Sequence, residues 1–288
     1  MLASDELTRL RFGVAIGADE AIRERIEPFR LHLEDQLDLP VDLFLIDTLG
    51  ELAQALAKGD IDYARLSPAS YAAAAQACGC LEPLASATPD GFPPFFYAVL
   101  VAKGRPQPVA IADLKGARLG VGASHSIGSY RVPLANLLAD GIDARRHFRT
   151  MVRMKDPLDG LQAVVDGRVE ASLAWSTLNG NPATGYTAGT LNDFYLRASP
   201  GFDKLQVVWR SPPIPYTAHA VNGSVPDRVK QKLRATLVEL KETAPDVFIA
   251  VEPDFPGGLK PAIAADFRAV TRSYEPAFLE WLEQGAAD

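Results

Sequence analysis

Cysteine and histidine are scarce in this sequence, and it contains no long apolar run. Two cysteines, Cys78 and Cys80, and four histidines occur in 288 residues, so we expect no structural metal site. We interpret the cysteines, which flank Gly79, as small thiols, because a disulfide that spans one residue would be strained. The longest apolar run extends from Phe95 to Ala102. That run is too short to cross a bilayer, so no direct membrane insertion is expected.

The chain also lacks an excess of positive charge and a recognisable leader. Lys and Arg number 29 against 36 Asp and Glu, which gives a formal net charge of −7 and disfavours a nucleic-acid partner. Residues 1–7 have neither the basic start nor the long apolar stretch of a secretory signal. We therefore expect a periplasmic protein if an export signal has been removed, and a cytoplasmic one otherwise.

What the sequence does contain is a regular alternation of strand-like and helix-like segments. With 48% hydrophobic residues, the chain can bury one large core or two modest ones. The order β-α-β-α-β at the start, repeated later, predicts an α/β fold with mostly parallel sheets and helices on their faces. The predicted strands cover residues 10–16, 41–46, 61–66, 95–103, 117–121, 147–154, 169–175 and 205–211, and the main helices cover 22–37, 49–58, 126–139 and 158–166.

Two breaker-rich segments divide this alternation into lobes. Residues 104–108 and 212–215 are rich in proline and glycine and indicate chain crossings. We therefore predict a first lobe of residues 1–103 plus 213–288 and a second lobe of residues 104–212. A repeated pattern supports two similar lobes, because Asp47 and Asp156 each precede a helix that ends in glycine before a strand. Both acidic turns are expected at the carboxyl ends of strands, where ligands of open α/β sheets gather.

The segment that most clearly suggests a binding function is Gly-Val-Gly-Ala-Ser-His-Ser-Ile-Gly-Ser-Tyr, at residues 120–130. It follows a predicted strand and opens a helix, so backbone N–H groups and serine hydroxyls are available to an anion. The segment lacks the lysine of a nucleotide-hydrolase phosphate loop and the third glycine of a dinucleotide fingerprint. An ordinary serine-capped helix after a glycine turn explains it equally well at this stage.

Several ordered motifs resemble one family, the phosphonate-, phosphite- and phosphate-binding periplasmic solute receptors of ABC transporters. The resemblance spans roughly residues 10–240 and rests on LRFGV (10–14), GDIDYARLSPASY (59–71), DLKG (113–116), AVVDGRVEA (163–171) and WRSPPIP (209–215). It implies a two-lobed periplasmic-binding-protein-like fold, each lobe a mostly parallel sheet flanked by helices, joined by two hinge strands. It also implies a non-enzymatic monomer without cofactor. That monomer would hold a small oxyanion between its lobes and deliver it to a membrane permease.

The resemblance also implies a set of ligand-binding residues. The family motif Ser-Thr-Ser-Gly, followed by an aromatic residue, two residues and proline, ends here at Tyr130 and Pro133. Ile127 replaces one hydroxyl donor of that motif. The implied second-lobe contacts are therefore Ser124, His125, Ser126, Gly128 and Ser129.

The remaining contacts that the resemblance implies depart from the family pattern. Thr48 stands where the family usually has tyrosine, and Tyr97 is matched to a second aromatic contact. Asp156 and Pro157 stand in place of the family's Gly-His pair, which removes a possible cationic donor. Near Thr217 the family carries an acidic residue that pairs with an amine. Because Thr217 is uncharged, we expect a small oxyanion without an amino group rather than an aminoalkylphosphonate.

Two other functions stay open from the sequence. One is a cytoplasmic enzyme of cofactor biosynthesis on the same fold, for which His125 or His219 would be the candidate general base. The other is a ligand-sensing module that passes closure to a partner protein.

Overall fold

The computed structural model describes residues 7–16, 21–104 and 109–285. It divides the chain into two units, the first formed by Met1–Pro94 and Pro215–Phe267 and the second by Phe95–Ile214 and Arg268–Asp288. The described strands are β1 (Leu10–Ala15), β2 (Val41–Ile46), β3 (Tyr63–Leu66), β4 (Leu81–Ala87), β5 (Phe95–Lys103), β6 (Arg118–Val121), β7 (Thr150–Arg153), β8 (Ala171–Ser176), β9 (Leu205–Arg210), β10 (Ile214–Pro215), β11 (Ala218–Asn222) and β12 (Leu259–Pro261).

Helices follow most of the strands. The described α-helices are α1 (Ile22–Leu37), α2 (Leu49–Lys58), α3 (Pro68–Cys78), α4 (Val132–Ala139), α5 (Ala144–His147), α6 (Pro157–Asp166), α7 (Thr190–Leu196), α8 (Asp227–Thr243), α9 (Pro245–Val251), α10 (Arg268–Thr271) and α11 (Pro276–Gln284). Among the described residues, none of these helices combines the length and the apolar character needed to span a membrane.

The first unit is built on a six-stranded mixed sheet in the order β12-β4-β11-β3-β1-β2. β1 pairs in parallel with β2 and β3, whereas β11, β4 and β12 add antiparallel pairings. Alternation along the strands sends one set of apolar residues to α1, α8 and α9 and the other set to α2 and α3. The sheet is therefore covered by helices on both faces.

The second unit repeats this arrangement. β6 pairs in parallel with β7 and β8, and antiparallel β5 extends the sheet from β8 and also pairs with β9. One face packs against α4 and α11, and the other face packs against α6 and α7. The α/β class is thus confirmed, but the sheets are mixed rather than mostly parallel, because β5 and β11 run antiparallel to their neighbours. The order β3-β1-β2 of the first unit corresponds to β8-β6-β7 of the second.

Each central parallel strand carries a glycine at a position where an added Cβ would be crowded by a neighbouring side chain. A Cβ on Gly13 of β1 would lie 2.5 Å from Cδ1 of Leu52 in α2. A Cβ on Gly120 of β6 would lie 2.7 Å from Oγ of Ser172 in β8 and 3.2 Å from Cγ of Met154. The two units therefore share a packing detail as well as a strand order.

The predicted lobe boundaries need correction. Strand β5 was assigned to the first lobe (1–103), but it pairs with β8 and β9 and belongs to the second unit. The last segment, 268–288, also belongs to the second unit rather than to the first, because Phe278 and Trp281 complete its core. The chain therefore passes between the units at three points, not two.

Three local expectations also change. The segment 144–147 is a helical turn, so the strand predicted for 147–154 is reduced to β7. α1 runs through Pro28 without ending. Cys78 and Cys80 are joined in a disulfide rather than free, because Gly79 in the left-handed region (φ 61°) turns the chain and leaves their Cα atoms 5.1 Å apart.

Candidate functional site

The candidate site of the second unit lies at the carboxyl ends of its parallel strands. β6 ends at Val121, β7 at Arg153 and β8 at Ser176. Because the three strands are parallel, these ends meet at one edge of the sheet. The segment after β6, residues 122–129, lies at this edge, and we refer to it as the serine loop.

The shape of the serine loop follows from a proline one turn further on. Pro133 has no N–H, so the carbonyl of Ser129, four residues earlier, receives no helical hydrogen bond from it. The N–H of Gly122 takes that place and donates to the Ser129 carbonyl at 2.9 Å. The helix accordingly opens with a π turn, Ile127–Arg131, in which Arg131 N–H donates to the Ser126 carbonyl and Val132 N–H to the Ile127 carbonyl.

Two serine hydroxyls are held together inside this loop. Ser126 caps the helix start, and its Oγ accepts a hydrogen bond from the Ser129 N–H at 3.3 Å. The Oγ atoms of Ser126 and Ser129 are 2.7 Å apart. Ser129 is buried and Ser126 is half-buried. The pair is therefore fixed in place, and Ser126 is its solvent-accessible member.

The N–H groups at the very start of the helix remain available. Within the described residues, the N–H groups of Ile127 and Gly128 donate to no hydrogen-bond acceptor. The helix geometry leaves its first N–H groups without intrahelical partners, and small residues keep the approach to them open. Ser124 and His125 are exposed on the same loop. The arrangement offers several neutral donors to a single small anion.

An arginine flanks the serine loop, and sequence reasoning missed it. Arg153 ends β7, and its guanidinium donates to the Gly122 carbonyl at 2.7 Å and lies 5.5 Å from the ring centre of Tyr130. The signal available in the sequence was its position near the end of a predicted strand, three residues before Asp156. That signal was hidden because the predicted strand extended beyond it.

Aromatic side chains border the other side of the loop. Trp175 of β8 lies beside Gly128, where an added Cβ would be 3.5 Å from the tryptophan Cβ. Phe96 packs edge-on against Trp175 with 5.5 Å between ring centres. Tyr97 pairs with Ser176 at the same edge, and the Arg210 guanidinium lies 5.0 Å from its ring centre. Tyr97 is therefore at the predicted edge, separated from the serine loop by β8.

Asp156 also lies at this edge, in a capping role. Its carboxylate accepts a hydrogen bond from the Asp159 N–H at 2.9 Å and caps α6. Asp159 in turn binds Arg168 at 2.8 Å, and this hydrogen bond, with a second from the Lys155 N–H, lowers the pKa of Asp159. Asp156 is exposed, so its carboxylate adds a negative charge to the edge. Its predicted ligand contact stays a prediction.

Arg131 points elsewhere. Its guanidinium donates to the Ser273 carbonyl at 2.8 Å and lies 5.0 Å from the ring centre of Tyr274. Both partners belong to the C-terminal segment of the second unit. Arg131 therefore fastens α4 to that segment rather than contributing to the serine loop.

In the first unit, the two predicted contacts occupy the equivalent edge of its sheet. Thr48 follows β2 and caps α2, accepting from the Glu51 N–H at 3.1 Å, and Glu51 completes a capping box. Thr217 precedes β11 and is buried, with its hydroxyl accepting from the Ala87 N–H at 2.8 Å. Thr48 is thus exposed and Thr217 is enclosed. Both ligand contacts stay predictions.

Ser67 is a further edge residue that sequence reasoning did not single out. It follows β3 and caps α3, with its Oγ accepting from the Ser70 N–H at 3.0 Å and lying 2.9 Å from the Ser70 Oγ. The spacing Ser-x-x-Ser is the same as in the serine loop, and this repeat was visible in the sequence. In the first unit it stands after β3, whereas the serine loop stands after β6, the counterpart of β1.

His219, one candidate base for an enzyme, is part of a closed network. Its Nδ1 is 2.6 Å from the Tyr63 hydroxyl, and its Nε2 is 2.8 Å from Oε1 of Glu252. Arg65 holds the same carboxylate at 2.9 Å. Tyr63, His219 and Glu252 are fully buried. His219 therefore cannot meet a substrate in this structure.

The burial of this network changes its acid–base behaviour. Burial raises the pKa of the Tyr63 hydroxyl well above its ordinary value, and the charge of Glu252 acts in the same direction. For Glu252, burial alone would raise the pKa, but hydrogen bonds from His219 and Arg65 lower it below the usual range. The carboxylate is therefore held ionised in the interior of the first unit.

No metal site emerges from the described part of the chain, since no three or more His, Cys, Asp or Glu side chains are grouped there. His125, the other candidate base, is exposed on the serine loop. Within the described residues it has no carboxylate partner that would orient it. The edge of the second unit is thus suited to holding an anion rather than to activating a nucleophile.

Comparison with known proteins agrees with this chemistry. Over residues 14–274, the chain matches the family model described as the phosphonate periplasmic substrate-binding protein of an ABC transporter.

Solved structures share the fold at low sequence identity. XAC2383 from Xanthomonas citri bound to ATP has a TM-score of 0.58 and 16% identity, covering 96% of this chain and 99% of that chain. The same protein bound to a chloride ion has a TM-score of 0.56 and 16% identity, with 97% and 100% covered. Transferrin 1 from Manduca sexta has a TM-score of 0.61 and 13% identity over 94% of this chain and 47% of that chain.

Proposed function

This chain belongs to the family of periplasmic substrate-binding proteins of ABC phosphonate transporters, and from that membership we propose that it binds a small oxyanion at the serine loop. The ligand class is a phosphonate, phosphite or phosphate. The observation that carries the proposal is the set of N–H groups at Ile127 and Gly128, open beside the fixed pair of Ser126 and Ser129.

Neutral donors suit such a ligand. N–H and hydroxyl groups at a helix start stabilise a negative charge without requiring a counter-charge, and hydrogen bonds to a charged acceptor contribute about 1.5–3 kcal/mol each. Ser124, His125 and Gly128 lie on the same loop as these donors. Trp175 and Phe96 provide an apolar wall beside them, which suits a short alkyl substituent on the anion.

The same membership guides the remaining parts of the proposal. The protein acts in the periplasm and delivers its ligand to the membrane permease of an ABC transporter. As a transport component it is expected to carry out no reaction, and the burial of His219, whose two ring nitrogens are bonded to Tyr63 and Glu252, is compatible with that role.

Calorimetry on protein that has been unfolded, dialysed and refolded tests the proposal. Phosphate, phosphite, methylphosphonate, sulfate and acetate are titrated separately, and we expect measurable heat with at least one phosphorus oxyanion. Gly122→Ala should abolish that heat, because the added Cβ would collide with the Ser129 side chain and displace the loop.

A matched control removes a hydroxyl at the opposite edge of the same sheet. Thr150 is the first residue of β7. We expect Thr150→Ala to leave the heats of anion binding unchanged. Absence of heat with every anion for the refolded wild-type protein would contradict the proposed function.

A further inference from the structure

Arg153 is an unpaired positive charge placed beside the serine loop. Within the described residues no carboxylate lies within ion-pair distance of its guanidinium. Two other arginines of the same sheet region behave differently, since Arg118 binds Glu170 at 2.7 Å and Arg168 binds Asp159 at 2.8 Å. Arg153 is exposed, so its charge is available to a ligand.

The position of Arg153 is fixed by the loop itself. One terminal nitrogen donates to the Gly122 carbonyl at 2.7 Å, and Gly122 in turn donates its N–H to the Ser129 carbonyl. The guanidinium also lies 5.5 Å from the ring centre of Tyr130, the residue that follows Ser129. The arginine is therefore attached to the same hydrogen-bonded frame as the serine pair, and its remaining N–H groups stay free to donate.

The surroundings of Arg153 contain charges of both signs. Lys155, Asp156 and Asp159 follow it at the start of α6, and His125 lies on the serine loop. Asp159 is occupied by Arg168, and the Asp156 carboxylate accepts the Asp159 N–H. None of these groups is bonded to Arg153.

We propose that Arg153 makes the site selective for doubly charged oxyanions over singly charged ones of the same shape. This inference rests on the proposed function. The serine and backbone donors are neutral and form hydrogen bonds with a monoanion or a dianion alike. A full positive charge, in contrast, attracts a dianion about twice as strongly as a monoanion. Among oxyanions of equal size, the preferred class is thus the fully ionised phosphate monoester or phosphonate.

The test compares two ligands that differ in charge but hardly in shape. At pH 8, methyl phosphate carries two negative charges, because the second pKa of a phosphate monoester is about 6, and methyl sulfate carries one. Calorimetry on the refolded full chain gives the affinity ratio of the two ligands. For the wild-type protein we expect methyl phosphate to bind at least about tenfold more tightly.

Arg153→Gln removes the charge while leaving an amide able to donate to the Gly122 carbonyl. We expect it to weaken methyl phosphate about ten times more than it weakens methyl sulfate. Arg153→Lys, which keeps the charge, should retain the ratio within about threefold. Thermal unfolding of each variant shows whether the fold is intact.

Arg149→Gln is the matched control for the loss of one charge. Arg149 is exposed just before the opposite end of β7, four residues from Arg153. At about 3.3 Å per residue this places it about 13 Å away, beyond the screening length of about 8 Å at physiological salt. Its substitution should leave both affinities unchanged.

The outcomes separate this inference from the proposed function. A wild-type protein that binds oxyanions without preferring methyl phosphate, or an Arg153→Gln variant that loses both ligands equally, overturns the role of Arg153 alone. A wild-type protein that binds no oxyanion overturns the proposed function, and the inference falls with it.

Discussion

The two units share one strand order but use their polar side chains in opposite ways. In the first unit, Tyr63, His219 and Glu252 are buried and bonded to one another, with Arg65 completing the network. In the second unit, the polar groups of the serine loop lie at the sheet edge and keep donors free. The same topology therefore supports either an internal polar framework or a sheet edge with free hydrogen-bond donors.

The two units therefore differ in the interactions that stabilise them. A buried carboxylate is tolerated only when its partners are in place, so the network of the first unit is sensitive to the loss of a single member. The second unit has no comparable buried ion pair among its described residues, and its core is predominantly apolar. Its polar edge can change with less effect on folding.

The largest expected effect comes from Glu252→Ala. The change leaves Arg65 and His219 without their shared partner, and we expect a loss of about 2–4 kcal/mol in the free energy of unfolding. The lower end of that range reflects the Arg65 side chain, which is 30% exposed and can be rehydrated. Urea unfolding followed by far-ultraviolet circular dichroism measures the effect.

Tryptophan fluorescence separates the units in that experiment. All three tryptophans, Trp175, Trp209 and Trp281, lie in the second unit, so their fluorescence should report its unfolding. Glu280→Ala, an exposed glutamate of the second unit, is the control and should cost less than about 0.5 kcal/mol. A Glu252→Ala variant as stable as that control would remove the contrast between the units.

A smaller effect is expected from acid. The pKa of Glu252 is lowered in the fold, so its contribution is fully present above the unfolded value of about 4.3 and is lost as the pH falls through the lowered folded value. Between pH 5 and pH 3, the wild-type protein should lose more stability than Glu252→Gln. Identical pH dependence of the two proteins would contradict the assignment of an ionised buried carboxylate.

Paired glycine substitutions test whether the units are equivalent in packing. Gly13→Ala and Gly120→Ala each place a Cβ within 2.5–2.7 Å of a side-chain atom, and we expect each to cost about 1–3 kcal/mol. If only one of the first two variants is destabilised, the correspondence of β1 with β6 does not extend to the packing around these glycines.

The smallest effect is expected at the two helix caps. Thr48→Ala in the first unit and Asp156→Ala in the second each remove a side chain that accepts an N–H from the residue three positions later. We expect each change to cost about 1 kcal/mol, measured by urea unfolding. Thr48→Ser and Asp156→Asn keep the acceptor and should restore most of that stability.

Much of the fold follows from local sequence pattern. The bounds predicted for β2, β5 and α2 agree with the structure, because alternating or periodic apolar residues end there at glycine, threonine or a charged residue. The predicted correspondence of the Asp47 and Asp156 turns shifts by one residue, since Thr48 rather than Asp47 caps α2 as Asp156 caps α6. The family resemblance read from the ordered motifs is confirmed.

The candidate site was predicted only in part. The serine loop was identified because hydroxyl and glycine residues between a strand and a helix form a local signal. Arg153 was missed, since its contact with Gly122 spans 31 residues and depends on the parallel pairing of β6 with β7. The buried partners of His219 were missed for the same reason, because Tyr63 and Glu252 are distant from it in the chain.

The sequence by itself determined the α/β alternation, the family and the position of the serine loop, because each depends on residues that are near one another in the chain. Tertiary structure alone decided which unit receives β5 and the C-terminal segment, and which charged side chains are buried or free. Those outcomes depend on antiparallel pairing and packing between distant segments. The periodicity of apolar residues within one segment does not predict such long-range contacts.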